Sequence, residues 1–204
     1  ASLSYDASRG QFPLRDAWFT RQLFHVDVKF AVVTIGAGFL LCALIDVFSP
    51  ATYWARETGL RIRTVASCAV LIPATISLLK QMSRLHCPWD IGLFGGAEPY
   101  FRLLDLIPPG ISPGRCFPAG HASGGLWLAS IMVFWLPGKP RTAWATGTGM
   151  LSVGVLMGVV QQLRGAHFTT HTLWSTWIAV SIIYVAYRVL IAVEHRYLAS
   201  TLRT

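Results

Sequence analysis

Three short polar segments interrupt an otherwise apolar chain, and each contains residues that could bind or transfer a phosphate. They are LLKQMSRLHCPWD around Lys80, FPAGHAS around His121 and QQLRGAHFTTH around His167. An imidazole can act near pH 7 as a nucleophile or as a general acid and base. Ionisable residues among apolar helices are costly, so they suggest function. The three segments together predict a site for an anionic group.

The third segment has a spacing that would bring basic side chains together. Arg164, His167 and His171 stand at i, i+3 and i+7, so they would share one face if this stretch is helical. The two histidines also have the i, i+4 spacing that binds zinc, with His121 or Asp90 as a further ligand. Because the nearby cations would oppose a metal ion, we predict no metal and no other cofactor.

The second segment contains the residues of a helix start. Pro118 and Gly120 are typical of such a position, where backbone N–H groups and the helix dipole favour an anion. Lys80 would add a mobile ammonium group and Arg164 a planar guanidinium group suited to phosphate. We therefore predict Lys80, Arg164 and the backbone at Gly120 as phosphate-binding groups.

Composition indicates that membrane helices position these segments. Of the 204 residues, 53% are hydrophobic and 13% are charged, whereas about a quarter of a soluble domain is charged. Five stretches are apolar enough to cross a bilayer, namely residues 28–49, 63–80, 119–136, 143–163 and 171–193. The sequence predicts an all-α fold, a multi-pass transmembrane helical bundle forming a single domain over residues 1–204.

The net charge of +8 could indicate either nucleic acid or anionic lipid as a partner. Its basic residues are dispersed between apolar stretches, whereas nucleic-acid binding requires a soluble basic face. We therefore predict membrane lipids and a phosphorylated lipid substrate as partners, and no nucleic acid. The sequence leaves the oligomeric state open.

Basic residues in two short loops, at 50–62 and 137–142, orient the bundle by the positive-inside rule. Placing both loops in the cytoplasm makes residues 81–118 an outer loop and puts the three polar segments at the outer membrane face. Residues 1–26 then also lie outside, as an interfacial segment. Since nothing in this chain would carry them across, we expect a sixth helix upstream. The arrangement fits a bacterial inner membrane with the site facing the periplasm.

The cysteines follow the same topology. Cys42 and Cys68 fall in apolar helices and are predicted to pack as small hydrophobic residues. Cys87 and Cys116 fall in the outer loop, where an oxidising periplasm would favour a disulfide between them. Two free buried thiols are the alternative.

The three segments resemble the signature of the type 2 phosphatidic acid phosphatase superfamily, which is KxxxxxxRP, then PSGH, then SRxxxxxHxxxD. Lys80 stands at the lysine position, His121 ends a PAGH sequence, and His167 stands at the third-motif histidine. The order and spacing are preserved over residues 80–171. The first-motif arginine is replaced by Cys87.

Two further positions depart from the signature in its third motif. Gln161 stands where the motif has arginine, and His171 stands where it has aspartate. Neutral His171 could still accept the hydrogen bond that this aspartate accepts, and Asp90 is a second candidate for the missing carboxylate.

The resemblance implies an integral-membrane lipid phosphatase that hydrolyses a phosphomonoester or pyrophosphate through a phosphohistidine intermediate. His167 would be the nucleophile and His121 the general acid, whereas His171 and Asp90 would be supporting residues. Two alternatives remain at this point: a lipid-to-lipid phosphotransferase, and a non-catalytic relative that binds phospholipid.

Overall fold

The computed structural model describes residues 2–201, and the regular secondary structure in this range is helical. Five principal helices are α1 (Val28–Phe48), α2 (Arg56–Met82), α3 (Gly120–Leu126), α4 (Pro140–Leu163) and α5 (Thr169–Thr201). A π-helical segment, Phe19–Asp27, leads directly into α1, and a 3-10 segment, Trp127–Trp135, continues α3. Short 3-10 turns are Ser2–Ser4, Pro88–Asp90 and Gly92–Phe94. The predicted helical membrane bundle is confirmed.

Within the described residues, four helices are long and apolar enough to cross a membrane, so the chain is an integral membrane protein. They are Phe19–Phe48, Arg56–Met82, Pro140–Leu163 and Thr169–Arg196. The predicted span at 119–136 differs, because it is a seven-residue α-helix followed by a nine-residue 3-10 segment. Its apolar side chains pack inside the bundle, where Leu126 and Val133 are almost fully buried. The high hydropathy of this segment therefore reflects the burial of its side chains inside the protein.

Glycines allow α3 and α4 to approach each other closely. A Cβ atom added to Gly125 would lie 2.9 Å from the Cα of Gly154, and one added to Gly154 would lie 2.5 Å from the backbone nitrogen of Leu126. Gly149, on the same helix as Gly154, faces open space instead. The start of α3 carries His121, so this contact fixes a site residue as well as the core.

The two glycines offer a matched test of this contact. We expect Gly154→Val to lower the free energy of unfolding by about 1–3 kcal/mol, because the backbones of α3 and α4 must separate. Gly149→Val should change it little, since its side chain would point into open space. Thermal unfolding of the two variants in detergent measures the difference. Equal stabilities would contradict the close packing.

The N-terminal segment folds back over one end of the bundle. Phe12 is buried and packs against the rings of Tyr5 and Phe94, with ring centroids 5.3 and 5.7 Å away. The hydroxyl of Ser4 donates to the carbonyl oxygen of Gln162 at 3.2 Å. Residues 2–18 thus contact the bundle, and Phe19–Asp27 extends the first apolar helix. The interfacial position of residues 1–26 stays a prediction.

Candidate active site

Backbone hydrogen bonds join the three polar segments at the end of the bundle that the N-terminal segment covers. The Trp89 N–H donates to the carbonyl of Gly165 at 3.0 Å, which links the first segment to the third. The Ala119 N–H donates to the carbonyl of His171 at 3.3 Å, which links the second to the third. The Ser175 hydroxyl lies within 3.1 Å of the carbonyls of both Ala119 and His171. The segments therefore form one connected unit.

A disulfide reinforces this unit. Cys87 and Cys116 are bonded, with their Cα atoms 5.2 Å apart. The Sγ of Cys116 lies 3.5 Å from Nδ1 of His167 and 3.2 Å from the carbonyl oxygen of Ala166. The bridge therefore closes the loop directly behind the third-motif histidine.

One cavity of about 690 Å³ lies inside this end of the bundle, and residues from all three segments line it. Lys80 comes from the last turn of α2, Gly120 and His121 from the first turn of α3, and His167 from the turn before α5. The space for a Cβ on Gly120 lies 3.8 Å from Nζ of Lys80. Among the described residues, no carboxylate lines this cavity. Its charge suits an anion.

His167 is in contact with a second histidine through its ring nitrogen. Its Nδ1 lies 3.4 Å from Nδ1 of His171, and the two rings meet edge to face. One of these nitrogens must carry the hydrogen. If it is Nδ1 of His167, the lone pair of His167 is on Nε2, the nitrogen that is free to meet a substrate in the cavity. In that tautomer, His171 accepts the hydrogen bond from His167.

Burial keeps the His167 imidazole neutral. The side chain lies outside the membrane-spanning helices and is 4% exposed. Burial, together with the neighbouring His171 and Lys80, lowers the pKa of His167 to about 3. The neutral form has the lone pair that attack on phosphorus requires, and it predominates throughout the physiological pH range.

The N-terminal helix contributes residues that the sequence motifs did not identify. His25 stacks on His121 with ring centroids 4.4 Å apart and an interplanar angle of 17°. Nε2 of His121 lies 3.3 Å from the carbonyl oxygen of Phe24, which can accept its hydrogen. Lys29 follows one turn after His25, and both line the cavity. Their i, i+4 spacing at the start of an apolar helix was the available signal.

Arg164 does not line the cavity, in contrast to the sequence prediction. Its Nε donates to the carbonyl oxygen of Arg15 at 2.8 Å, and Nη1 donates to Oε1 of Gln161 at 3.2 Å. The chain leaves the helical path here, since Arg164 caps α4 and Gly165 has φ +77°. The face that would have joined Arg164 to His167 therefore does not form. Arg164 instead fastens the N-terminal segment.

Asp90 makes no hydrogen bond or ion pair through its side chain within residues 2–201. Its backbone carbonyl accepts from the Glu98 N–H at 2.8 Å within the loop. The structure therefore offers His171, not Asp90, as the hydrogen-bond partner of His167.

The zinc site considered from the sequence would combine His167 and His171 with His121 or Asp90, and the described part of the chain does not bring these residues together as a metal-ligand group. The potential metal-ligand group found there combines Cys87, Cys116 and His167. Because the two sulfurs are bonded to each other, they do not offer the thiolates that zinc binds.

Residues 61–193 match the family model described as the PAP2 superfamily. The chain belongs to this superfamily. The resemblance predicted from three divergent motifs is thereby confirmed, and PAP2 membership supports a phosphatase-type activity in general. No curated protein and no solved structure matches the chain.

Within the PAP2 pattern, the structure shows how two departures are accommodated. Gln161, at the arginine position, lines the cavity and links two basic residues, because its Oε1 accepts from Arg164 while its Nε2 lies 3.2 Å from Nδ1 of His25. His171, at the aspartate position, stays in contact with the histidine that the aspartate would orient. The PAP2 match begins at Arg61, so the N-terminal helix lies outside it.

Proposed function

We propose that this protein is an integral-membrane lipid phosphatase that hydrolyses a phosphomonoester or pyrophosphate through a phosphohistidine on His167. The shape of the cavity is the observation that supports a lipid as the substrate. It is polar where Lys80, His121 and His167 converge, and it continues as an apolar groove between α1 and α2.

The groove provides space for a hydrocarbon chain. Val33 and Leu40 of α1 and Val70 of α2 line it, and they are 56%, 42% and 49% exposed on helices that are able to span a membrane. A phosphorylated lipid could therefore place its head group beside His167 while its tail remains in the bilayer. A soluble phosphate ester would make no contact with this apolar groove.

The geometry supports a two-step displacement. Nε2 of His167 attacks phosphorus, the ester P–O bond breaks, and His121 gives a proton to the departing oxygen. Burial lowers the pKa of His121 to about 4 in the free protein, and a bound phosphate anion beside it favours the protonated form that this step requires. Lys80 holds the phosphoryl oxygens throughout, which stabilises the charge in the transition state. Water then attacks the phosphohistidine and gives a proton to His121, so that phosphate leaves and both histidines return to their initial states.

His171 supports the first step. As His167 bonds to phosphorus, its ring gains positive charge and its Nδ1–H becomes a stronger donor. A neutral histidine accepts this bond without the charge stabilisation of an aspartate, so we expect a slower nucleophile than one paired with a carboxylate.

The disulfide supports the proposed location. Disulfides persist in oxidising compartments, and this one lies beside the cavity. This agrees with our proposal that the protein lies in a bacterial inner membrane with the site facing the periplasm.

Phosphate release from lipids in proteoliposomes tests the proposal. The panel should contain phosphatidic acid, phosphatidylglycerol phosphate, undecaprenyl pyrophosphate and lipid A, each with a labelled terminal phosphate. Free labelled phosphate would support hydrolysis. Label on a second lipid would indicate the phosphotransferase, and unchanged substrates throughout would favour a non-catalytic lipid-binding role.

A further inference from the structure

The matched PAP2 region supplies less positive charge to the cavity than the family pattern provides. Cys87 and Gln161 occupy two arginine positions, and Arg164 is engaged outside the cavity by Arg15 and Gln161. Within residues 61–193, Lys80 is then the only lysine or arginine that lines the cavity. A transferring phosphoryl group spreads charge over three equatorial oxygens, which usually meet several cationic groups.

A second lysine reaches the cavity from outside the matched region. Lys29 lies in the first turn of α1 and lines the cavity together with Lys80. Its ammonium group has no hydrogen-bond or ion-pair partner in the described part of the chain. An ammonium group on a membrane helix is expensive unless it finds an anion or water.

The helix that carries Lys29 is fixed to the catalytic residues. One turn earlier, His25 stacks on His121 and contacts Gln161, and the Phe24 carbonyl lies 3.3 Å from Nε2 of His121. These contacts hold the start of α1 against the cavity. The backbone position of Lys29 beside the cavity is therefore set by packing and not by its flexible side chain alone.

We propose that Lys29 binds a phosphate oxygen of the substrate and replaces, from the N-terminal helix, a cation that the PAP2 motifs of this chain lack. This inference rests on the proposed function, because it takes the bound anion to be the head-group phosphate of the lipid substrate. The rival role for Lys29 is to anchor α1 at the surface of the bilayer by contacting the phosphates of bulk lipids.

Kinetics with two forms of one substrate separate these roles. A long-chain lipid phosphate in vesicles and a short-chain, water-soluble analogue would be hydrolysed by wild type, Lys29→Met and Lys29→Arg. Arg21→Met is the control, because Arg21 is an exposed cation on the same helix, outside the cavity. We expect Lys29→Met to lower kcat/KM by about 10- to 100-fold with both substrates, the loss typical of one charged hydrogen bond. Lys29→Arg should recover most of it, and Arg21→Met should match wild type.

Binding of vanadate gives a readout that does not require turnover. Vanadate should raise the unfolding temperature of wild type, and Lys29→Met should need about 10-fold more vanadate for the same shift. If Lys29→Met weakens vanadate binding in this way but the wild type hydrolyses no lipid, the proposed function is wrong and the phosphate-binding role of Lys29 is still supported. Unchanged kinetics and vanadate response in Lys29→Met would overturn the inference, as would a defect confined to vesicles.

Discussion

Replacing His167 with glutamine should abolish lipid phosphate hydrolysis, with a loss of kcat on the order of 10⁴-fold or more. Glutamine can retain a polar contact with His171, but its amide nitrogen has no lone pair able to attack phosphorus. The remaining residues, Lys80 and His121, would bind and polarise the substrate without forming the intermediate. Phosphate release from the preferred lipid of the panel measures the loss.

His195 provides the matched control for this substitution. It is an exposed histidine towards the far end of α5, on a helix that begins beside the site. His195→Gln should therefore hydrolyse lipid at the wild-type rate. Should His167→Gln retain more than about a tenth of wild-type kcat, a different group must be the nucleophile.

Removing the disulfide should have the second-largest effect, on stability as well as activity. The bridge joins Cys87 to Cys116, which are 29 positions apart in the sequence. The variant with both cysteines replaced by alanine should lose about 3–4 kcal/mol of unfolding free energy. Because Cys116 Sγ lies 3.5 Å from His167, loosening this loop should also lower kcat. Unfolding and turnover with and without a reductant measure both effects.

The free cysteines make this experiment specific. Cys42→Ala removes a thiol from the membrane helix α1 and should behave like wild type in reductant and without it. In the double variant, Cys87→Ala with Cys116→Ala, a reductant should have no further effect. A wild-type protein indifferent to reductant, with all its thiols titratable, would contradict the bridge.

The sequence was sufficient to predict the convergence of Lys80, His121 and His167. Each stands at the end of an apolar stretch, and alternation of helices across a bilayer brings successive ends to the same side. The helical bundle and the family followed from the same pattern. These features depend on hydropathy and on order along the chain, which a single sequence contains.

The contribution of the N-terminal helix depended on distant contacts. His25 meets Gln161 across 136 positions and Phe24 meets His121 across 97, so no local pattern could report them. Arg164 was misplaced for a local reason, because Gly165 turns the chain out of the helix that the spacing assumed. The segment at 119–136 was predicted as one regular helix, whereas the structure has a short α-helix followed by a 3-10 segment buried inside the bundle, and hydropathy does not distinguish these conformations.

Trapping the intermediate tests the central claim most directly. Protein incubated briefly with a lipid substrate carrying a labelled phosphate is quenched in base, which preserves phosphohistidine, and the labelled peptide is sequenced. The account predicts one labelled peptide with the phosphate on His167, and no label in His167→Gln. Label on His121, or steady hydrolysis with no labelled protein at any quench time, would contradict it.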